Sequence, residues 1–446
     1  MKISDPEGSP PSPRQSEPSG ASYQIKIWSL GRFDVLGCEL SGDGKVRGTG
    51  LLGRFFHRLH ILILIYYQRK LGRPYKNLAR FRGKRVTYLI YPPTGSRSFY
   101  RTAKSIFKGY LGGSFSPSAA TLAVTYRCPC RCFHCSAQLN LQKGRSELST
   151  AEIKAVIDQC LDMGMSVITF TGGEPLLRED IFELIDYVDK KKAVTILFSN
   201  GLLLDRDAAE KLKKSGLYAL FVSFDSDVAE EHDRCRNFGG LFEAAVEGVK
   251  NAQAAGLLVG LSSYCSKSNV EQDHHLRMHR LAQRLGLLTV LLFDAIPTGS
   301  LLRAEDIMLT PEQHRRLADH TDRVLKEGIV PPLAAQSWQN TMMGYLSGIT
   351  CFAGPIQLYI TAYGDVTPCD FTPLSFGNVR TEPLRKIQKK IVSHPAYDHR
   401  SLVCRMQHPN FRTLYIETIP EGSPLPYPMD KHARVDYRTV FQRRLE

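Results

Sequence analysis

The sequence lacks the long apolar runs that membrane-targeting segments need. Residues 1–20 (MKISDPEGSPPSPRQSEPSG) have no apolar core of a signal peptide, so we expect a disordered tail and a cytoplasmic protein. The uninterrupted apolar stretch at 61–67 (ILILIYY) is far too short to span a bilayer. Eleven cysteines, an odd number, favour metal binding or catalysis over a disulfide framework in a reducing compartment.

Acidic residues are absent between positions 44 and 146, where the chain holds 20 lysines and arginines. The remainder has 38 basic and 44 acidic residues, so the net charge of +14 comes from this one stretch. A local cationic face attracts anionic partners such as phospholipid headgroups or nucleic acid, although a solvated surface explains the same composition. No recognised RNA-binding module accompanies the charge, so nucleic acid is not favoured as a partner.

Short apolar runs alternate with helical patterns from about Thr121 onward. Six of them predict βα crossovers that build a parallel sheet: TLAVTY, SVITF, AVTILF, YALFVSF, LLVGLSS and LLTVLLF. Because six units are fewer than the eight of a closed barrel, the predicted fold is α/β, a partial (β/α)6 TIM-like barrel. Its functional residues should follow the strands.

The basic stretch also contains an apolar stripe at helical spacing over residues 52–66. Its members are Leu52, Phe55, Phe56, Leu59, Leu62, Ile63 and Tyr66. Such a helix could lie in a membrane interface with its arginines toward anionic headgroups, which would hold the protein peripherally on the inner face of the membrane. Packing against the barrel is an equally good interpretation.

Four cysteines crowd the loop after the first predicted strand, in RCPCRCFHCSA at 127–137. Cys128, Cys132 and Cys135 have the spacing C-x3-C-x2-C. Three thiolates can hold three irons of a cubane cluster and leave the fourth iron open. A structural zinc site needs four ligands, and Cys130 or His134 could supply the fourth. The motif alone supports both possibilities equally.

The second predicted strand ends in Gly172, Gly173 and Glu174. Two residues without Cβ allow the backbone to approach a ligand closely, and the carboxylate can accept hydrogen bonds from an ammonium group. Because the carboxyl ends of parallel strands meet at one edge, this segment should lie beside the cysteine loop.

These motifs follow one another in the order found in the radical SAM superfamily, and residues 118–300 resemble that superfamily. The resemblance identifies Cys128, Cys132 and Cys135 as ligands of a 4Fe-4S cluster and GGEP, with Gly172, Gly173 and Glu174, as its S-adenosylmethionine (SAM) motif. It further implies SAM contacts from later segments, at Ser199, Asn200, Ser223, Asp225 and Arg236. Glu174 and Arg236 would hold the amino and carboxylate groups of SAM.

The C-terminal part of the chain resembles the first half of a SPASM or Twitch domain, which holds auxiliary 4Fe-4S clusters in relatives. Cys351, Gly364 and Cys369 carry the resemblance, and Cys404 is the one further cysteine that follows. Three ligands allow at most one auxiliary cluster, and its fourth ligand is left open.

These features predict five segments: a disordered tail (1–21), a basic N-terminal region (22–116), the partial barrel (117–309), a small C-terminal iron-sulfur domain (310–420) and a tail (421–446). The resemblance implies an enzyme that cleaves SAM reductively to a 5'-deoxyadenosyl radical and abstracts hydrogen from an unactivated C-H bond. It also implies an electron donor such as flavodoxin or ferredoxin.

The basic region favours a lipid-like, membrane-associated substrate. The alternative enzyme is a ribosomal peptide maturase, although the sequence shows no clear peptide-leader-binding module. The alternative of another class is a non-catalytic iron-sulfur or zinc protein.

Overall fold

The computed structural model describes residues 78–112, 117–142, 144–335, 351–398, 401 and 404–432, and the backbone of three strands between residues 23 and 49. The chain divides into two compact units, residues 1–69 and 70–446. The apolar stripe at 52–66 lies outside the described residues. None of the described helices is long and apolar enough to cross a membrane.

The N-terminal unit contains a three-stranded antiparallel sheet that the sequence analysis did not identify. Its strands are β1 (Tyr23–Leu30), β2 (Phe33–Leu40) and β3 (Val46–Thr49), with β2 in the centre. The register pairs Tyr23 with Leu40 and Glu39 with Arg47.

The second unit begins with a hairpin and a helix, followed by one large sheet. The hairpin consists of β4 (Ala79–Phe81) and β5 (Lys84–Val86), and the helix is α1 (Arg97–Gly112). The strands of the large sheet are β6 (Ala119–Thr125), β7 (Val167–Gly172), β8 (Val194–Ser199), β9 (Ala219–Ser223), β10 (Val259–Cys265), β11 (Val290–Asp294), β12 (Leu333–Ala335), β13 (Gln357–Ile360) and β14 (Val366–Thr367).

The order of this sheet confirms the predicted partial barrel and extends it at both edges. The six predicted strands are β6 to β11, which run parallel and in chain order. β12 continues the series beyond β11. On the other edge β13 pairs parallel with β6, and β14 pairs antiparallel with β13. The C-terminal region therefore shares a sheet with the barrel.

Ten further α-helices lie in the described part of the chain. They are α2 (Thr150–Asp162), α3 (Ile181–Tyr187), α4 (Arg206–Lys214), α5 (Ala229–Arg236), α6 (Leu241–Ala254), α7 (Lys267–Glu271), α8 (His274–Arg284), α9 (Pro311–Glu327), α10 (Leu384–Ser393) and the short α11 (Pro409–Phe411). A small parallel pair of strands, β15 (Leu374–Ser375) with β16 (Tyr427–Pro428), lies in the C-terminal region. A capping box formed by Ser149 and Glu152 begins α2.

Side chains alternate between two cores because successive residues of a strand point to opposite faces. Leu197 and Leu220 pack outward in the core that includes helix residues such as Ile157. Ile196 and Phe221 belong to a second, smaller core with Val86 and Leu89 from the hairpin and the loop that follows it.

This second core closes the end of the barrel at which the strands begin. Val167, Val194 and Ala219, the first residues of β7, β8 and β9, all belong to it. The Tyr218 hydroxyl donates to the carbonyl of Tyr91 at 2.8 Å and fixes the loop there. Any site on this barrel is therefore confined to the opposite end.

We predict that Leu89→Ala lowers the free energy of unfolding by about 2–5 kcal/mol, because Leu89 is fully buried in this closure and its loss leaves a cavity. Denaturant unfolding measures the change. The control is Leu203→Ala at an exposed position, which should stay within about 0.5 kcal/mol of the native protein. Equal stability of the two variants would contradict the role of Leu89 in this second core.

Candidate cluster and cofactor site

The cysteine loop leaves the carboxyl end of β6 and is bound to the end of β7 by backbone hydrogen bonds. Gly173 N donates to Thr125 O at 2.7 Å, and Glu174 N donates to Arg127 O at 2.8 Å. The side chain of Glu147 also binds this segment, since its Oε1 accepts from Tyr126 N at 2.7 Å. The first residues of the cysteine loop are therefore held in place by hydrogen bonds.

Both glycines of the GGEP motif are needed for this close approach of the two backbones, because a side chain at either position would collide with the cysteine loop. A Cβ on Gly172 would lie 2.1 Å from Thr125 O, and a Cβ on Gly173 would lie 2.3 Å from Arg127 O. Gly172 also has a φ of +149°, which L side chains rarely adopt. The sequence predicts that the two glycines allow a ligand to approach the backbone. In the structure they allow the cysteine loop to approach it.

The four thiols of the loop are not equivalent. Cys128 is exposed, Cys132 and Cys135 are half-buried, and Cys130 is buried. Hydrogen bonds with Cys130 lower the pKa of Cys128 and Cys132, whereas the same contacts raise the pKa of Cys130. Burial raises the pKa of Cys135. Cys130 is thus the most buried thiol of the loop, and it is hydrogen-bonded to both Cys128 and Cys132.

The arrangement fits a cluster better than a single metal ion. Cys128, Cys132 and Cys135 lie close enough for their charges to interact. Yet nowhere in the described part of the chain do three His, Cys, Asp or Glu side chains converge on a point that one ion could occupy. In a cubane each thiolate binds a different iron, so the ligands surround the cluster instead of meeting at one point.

Glu174 joins three strand ends. Its buried carboxylate accepts from Leu176 N at 3.1 Å, Ser199 Oγ at 2.9 Å and Asn200 N at 2.8 Å. Burial raises the pKa of Glu174 more than these donors lower it. Protein donors already occupy most of the carboxylate, so contact between Glu174 and SAM stays a prediction.

Asn200 connects Glu174 to the cysteine loop. Its backbone N–H is held by Glu174, and its Oδ1 accepts from Leu202 N at 2.9 Å. The side-chain Nδ2 then donates to Cys130 Sγ at 3.5 Å. Ser199 and Asn200, both predicted SAM contacts, are thus brought beside the predicted cluster.

Asp225 and Arg236 form a buried ion pair at the same end of the barrel. Arg236 Nε lies 2.8 Å from Asp225 Oδ2, and Arg236 Nη2 donates to Asp225 Oδ1 at 3.2 Å. Burial raises the pKa of Asp225, but the Arg236 guanidinium outweighs it and holds that pKa well below its usual range. The contact of Arg236 with the SAM carboxylate stays a prediction, since two of its nitrogens already face Asp225.

His134 packs against this ion pair. Its Nε2 lies 3.5 Å from Asp225 Oδ2, and its ring stacks on Tyr264 with centroids 4.3 Å apart. Burial lowers the pKa of His134, so the ring is neutral at pH 7. The predicted site residue Ser223 pairs with Ser262 across neighbouring strands, with their hydroxyl oxygens 3.0 Å apart.

The C-terminal cysteines also come together. Cys351 and Cys369 interact with one another, and Cys404 with both. Burial, together with the neighbouring Cys351 thiol, raises the pKa of Cys369 to about 12. The Thr372 hydroxyl lies 3.1 Å from Cys369 Sγ. Three half-buried thiols gathered in one place suit an iron-sulfur cluster, which would take them as thiolates, and the fourth ligand stays open.

Asp370 is a functional candidate that the sequence analysis missed. It follows Cys369, is held by the side-chain amide of Gln357 on β13, and burial raises its pKa to about 6. The signal that could have found it is its position, an acid directly after a predicted cluster ligand.

Asp370 lines a small cavity that is partly open to solvent and has room for about one water molecule. Ser136, the neighbour of Cys135, lies on the same cavity, together with Thr298, Tyr359 and Thr372. The Thr298 hydroxyl donates to Phe371 O at 2.8 Å and holds the Asp370 loop against the barrel.

Comparison with known proteins agrees with this geometry. The family model of the radical SAM superfamily matches residues 122–277, and that of SPASM, an iron-sulfur cluster-binding domain, matches residues 351–406. The AdoMet-dependent heme synthase of Nitratidesulfovibrio vulgaris is 27% identical over 296 residues, 62% of this chain and 80% of that protein. The PqqA peptide cyclase of Granulibacter bethesdensis is 28% identical over 211 residues, 47% of this chain and 56% of that protein.

Among solved structures, Streptococcus suis SuiB bound to its precursor peptide SuiA has the same fold. Its TM-score is 0.55 at 16% identity, over 90% of this chain and 97% of SuiB. Fold and cysteine sites thus define an iron-sulfur enzyme of the SAM-dependent class. The chain belongs to the radical SAM superfamily and carries a C-terminal SPASM domain. SAM, its 4Fe-4S cluster and auxiliary iron-sulfur binding follow from these two domains.

We predict that Cys128→Ala, Cys132→Ala and Cys135→Ala each abolish SAM cleavage, because each removes one ligand of the SAM-binding cluster. Formation of 5'-deoxyadenosine by anaerobically reconstituted protein measures the loss. Cys130→Ala is the matched control from the same loop and should retain cleavage. Full activity of Cys132→Ala would contradict the ligand assignment.

We also predict that replacing Cys351, Cys369 and Cys404 together by alanine halves the bound iron, from about eight to about four atoms, because one of two cubanes is lost. Iron analysis of the reconstituted protein measures the change. Cys160→Ala, which removes a core thiol, should leave the iron content as it was. Unchanged iron in the triple variant would mean that the C-terminal region holds no cluster.

Proposed function

We propose that this enzyme oxidises a peptide, abstracting hydrogen from a C-H bond of a side chain that is bound beside Asp370. The PqqA peptide cyclase among its relatives supports a peptide substrate, and no comparison supports the lipid-like substrate favoured by the basic region. The cofactor site supplies the hydrogen-abstracting radical when loaded. The residues described below orient the substrate and accept a proton.

The observation that carries the proposal is the placement of Asp370. Oxidation of a C-H bond with bond formation or desaturation removes a second hydrogen as a proton and an electron. A cluster held by Cys351, Cys369 and Cys404 would accept the electron. Asp370 lies on the cavity and is held by Gln357, so its carboxylate is placed to accept that proton. Burial brings its pKa to about 6, a suitable value for a base at neutral pH.

The same carboxylate disfavours anionic substrates. A phospholipid headgroup or a porphyrin carboxylate beside Asp370 would meet a like charge in a poorly solvated place.

The N-terminal sheet is a second feature that suits a peptide. Its outer strands β1 and β3 each pair with β2 alone in the described part of the chain. A free sheet edge can bind an extended peptide by adding it as a further strand. The contribution of this edge to substrate binding is part of the proposal.

We expect Asp370→Asn to retain SAM cleavage but to lower product formation by about 10²-fold or more, because only proton acceptance is removed. Product formation by the native enzyme should rise with pH through about 6, where Asp370 loses its proton, and this rise should vanish in the variant. The matched control is Asp306→Asn at an exposed position. A native pH profile in Asp370→Asn would refute the assigned role.

The substrate class is tested by co-expressing the enzyme with the short peptides encoded beside its gene. Mass spectrometry should show one peptide that loses two hydrogen atoms. If every peptide remains unmodified while a porphyrin or a lipid is consumed, the peptide proposal is wrong.

A further inference from the structure

Tyr397 carries a buried hydroxyl group at the site of the three C-terminal cysteines. The residue is 2% exposed, and its hydroxyl oxygen has no hydrogen-bond partner of good geometry among the residues that the structure describes. The polar groups that influence this hydroxyl are the thiols of Cys369 and Cys351, the guanidinium of Arg405 and the hydroxyl of Thr372. The Tyr397 hydroxyl therefore lies among the predicted ligands of the auxiliary cluster.

Packing around the ring fixes the direction of this hydroxyl. The rings of Phe376 and Phe411 meet that of Tyr397 nearly at right angles, with centroids 5.7 and 6.0 Å away. The guanidinium of Arg405 lies over the Tyr397 ring, 5.1 Å from its centroid, and its Nε donates to Ala396 O at 2.6 Å. A ring held on its face and its edges has little freedom to turn its hydroxyl away from the cysteines.

The buried hydroxyl of Tyr397 fits a cluster on these cysteines. A buried polar group without a partner costs free energy, so an acceptor is expected beside it. The SPASM match covers residues 351–406 and places an iron-sulfur cluster on the cysteines around Tyr397. Sulfur atoms of such a cluster accept hydrogen bonds, and a tyrosine hydroxyl is a neutral donor at pH 7.

Thr372 supplies a second hydroxyl at the same site. Its oxygen lies 3.1 Å from Cys369 Sγ, and the residue is buried. The Thr372 backbone N–H donates to Cys369 O at 3.3 Å, which keeps the hydroxyl near the sulfur. Because a Cys369 thiolate has no proton to donate, Thr372 is the donor of this contact in the cluster-loaded protein.

We propose that Tyr397 and Thr372 are positioning residues of the auxiliary cluster, whose hydroxyl groups donate hydrogen bonds to its sulfur atoms and raise its reduction potential. Such donors stabilise the reduced cluster, which carries the more negative charge, and the buried guanidinium of Arg405 acts in the same direction. A higher potential suits the uptake of an electron. The inference rests on the SPASM assignment and is independent of the proposed peptide substrate.

The test measures the auxiliary cluster alone, in full-length protein with Cys128, Cys132 and Cys135 replaced by alanine. In this background Tyr397→Phe removes one hydroxyl and keeps the ring. At a fixed solution potential the ratio of reduced to oxidised cluster should fall by about threefold to tenfold, because one hydrogen bond to a charged group is lost. A tenfold fall corresponds to a midpoint potential lower by about 59 mV. Redox titration followed by EPR measures it without SAM or substrate.

Matched variants separate the hydroxyls from general effects on the fold. Thr372→Val should lower the midpoint potential in the same direction, and Thr372→Ser, which keeps the hydroxyl, should restore the native value. Tyr218→Phe also removes a buried hydroxyl, but at the opposite end of the barrel, where Tyr218 donates to Tyr91 O. This control should leave the potential unchanged.

Four results would overturn the proposal. A native potential in Tyr397→Phe would remove the role of Tyr397, and an equal fall in Tyr218→Phe would mean that any loosening of the fold shifts the potential. Loss of iron from Tyr397→Phe with native far-UV circular dichroism would make the hydroxyl a ligand instead of a donor. Absence of iron from the background variant would mean that the C-terminal cysteines hold no cluster. A failed search for a peptide substrate changes none of these measurements.

Discussion

The buried carboxylate of Glu174 holds the ends of three barrel strands together. It follows β7, its backbone N–H binds the cysteine loop after β6, and its side chain binds Ser199 and Asn200 at the end of β8. Each of these strands ends in polar backbone groups that would cost free energy if buried without partners. Asn200 then reaches Cys130, so the clamp extends into the cysteine loop itself. Glu174 thus acts together with Gly173, Glu147 and Arg236 in fixing the cysteine loop.

Two of the buried charges at the site balance one another. Asp225 and Arg236 form an ion pair, and the neutral ring of His134 adds no charge. Removing one partner of a buried ion pair is costly, because the other charge is left without compensation. The same arginine holds α5 beside the cysteine loop, because its carbonyl accepts from Arg131 N. The helix end, the ion pair and the loop are therefore linked by direct contacts.

Local sequence patterns were sufficient to predict the barrel strands and the C-x3-C-x2-C cysteines, because both depend on neighbours in sequence. Cys351, Cys369 and Cys404 are far apart in sequence, and only the family resemblance indicated that they belong together. The pairing of β13 with β6 was not predictable, because it joins residues more than two hundred positions apart. Asp370 was missed because its burial and its contact with Gln357 exist only in the folded chain.

The pairing of β13 with β6 also explains why Ser136 and Asp370, each the neighbour of a predicted cluster ligand, line a common cavity. The loop after β6 carries Cys128, Cys132 and Cys135, while β13 and β14 lead directly to Cys369 and Asp370. Adjacent strands lie about 4.8 Å apart, so loops that leave neighbouring strands begin close together. Because Asp370 comes from the C-terminal domain and Ser136 from the barrel, neither domain alone forms the cavity. A change in β13 should therefore alter substrate handling even though it touches no cluster ligand.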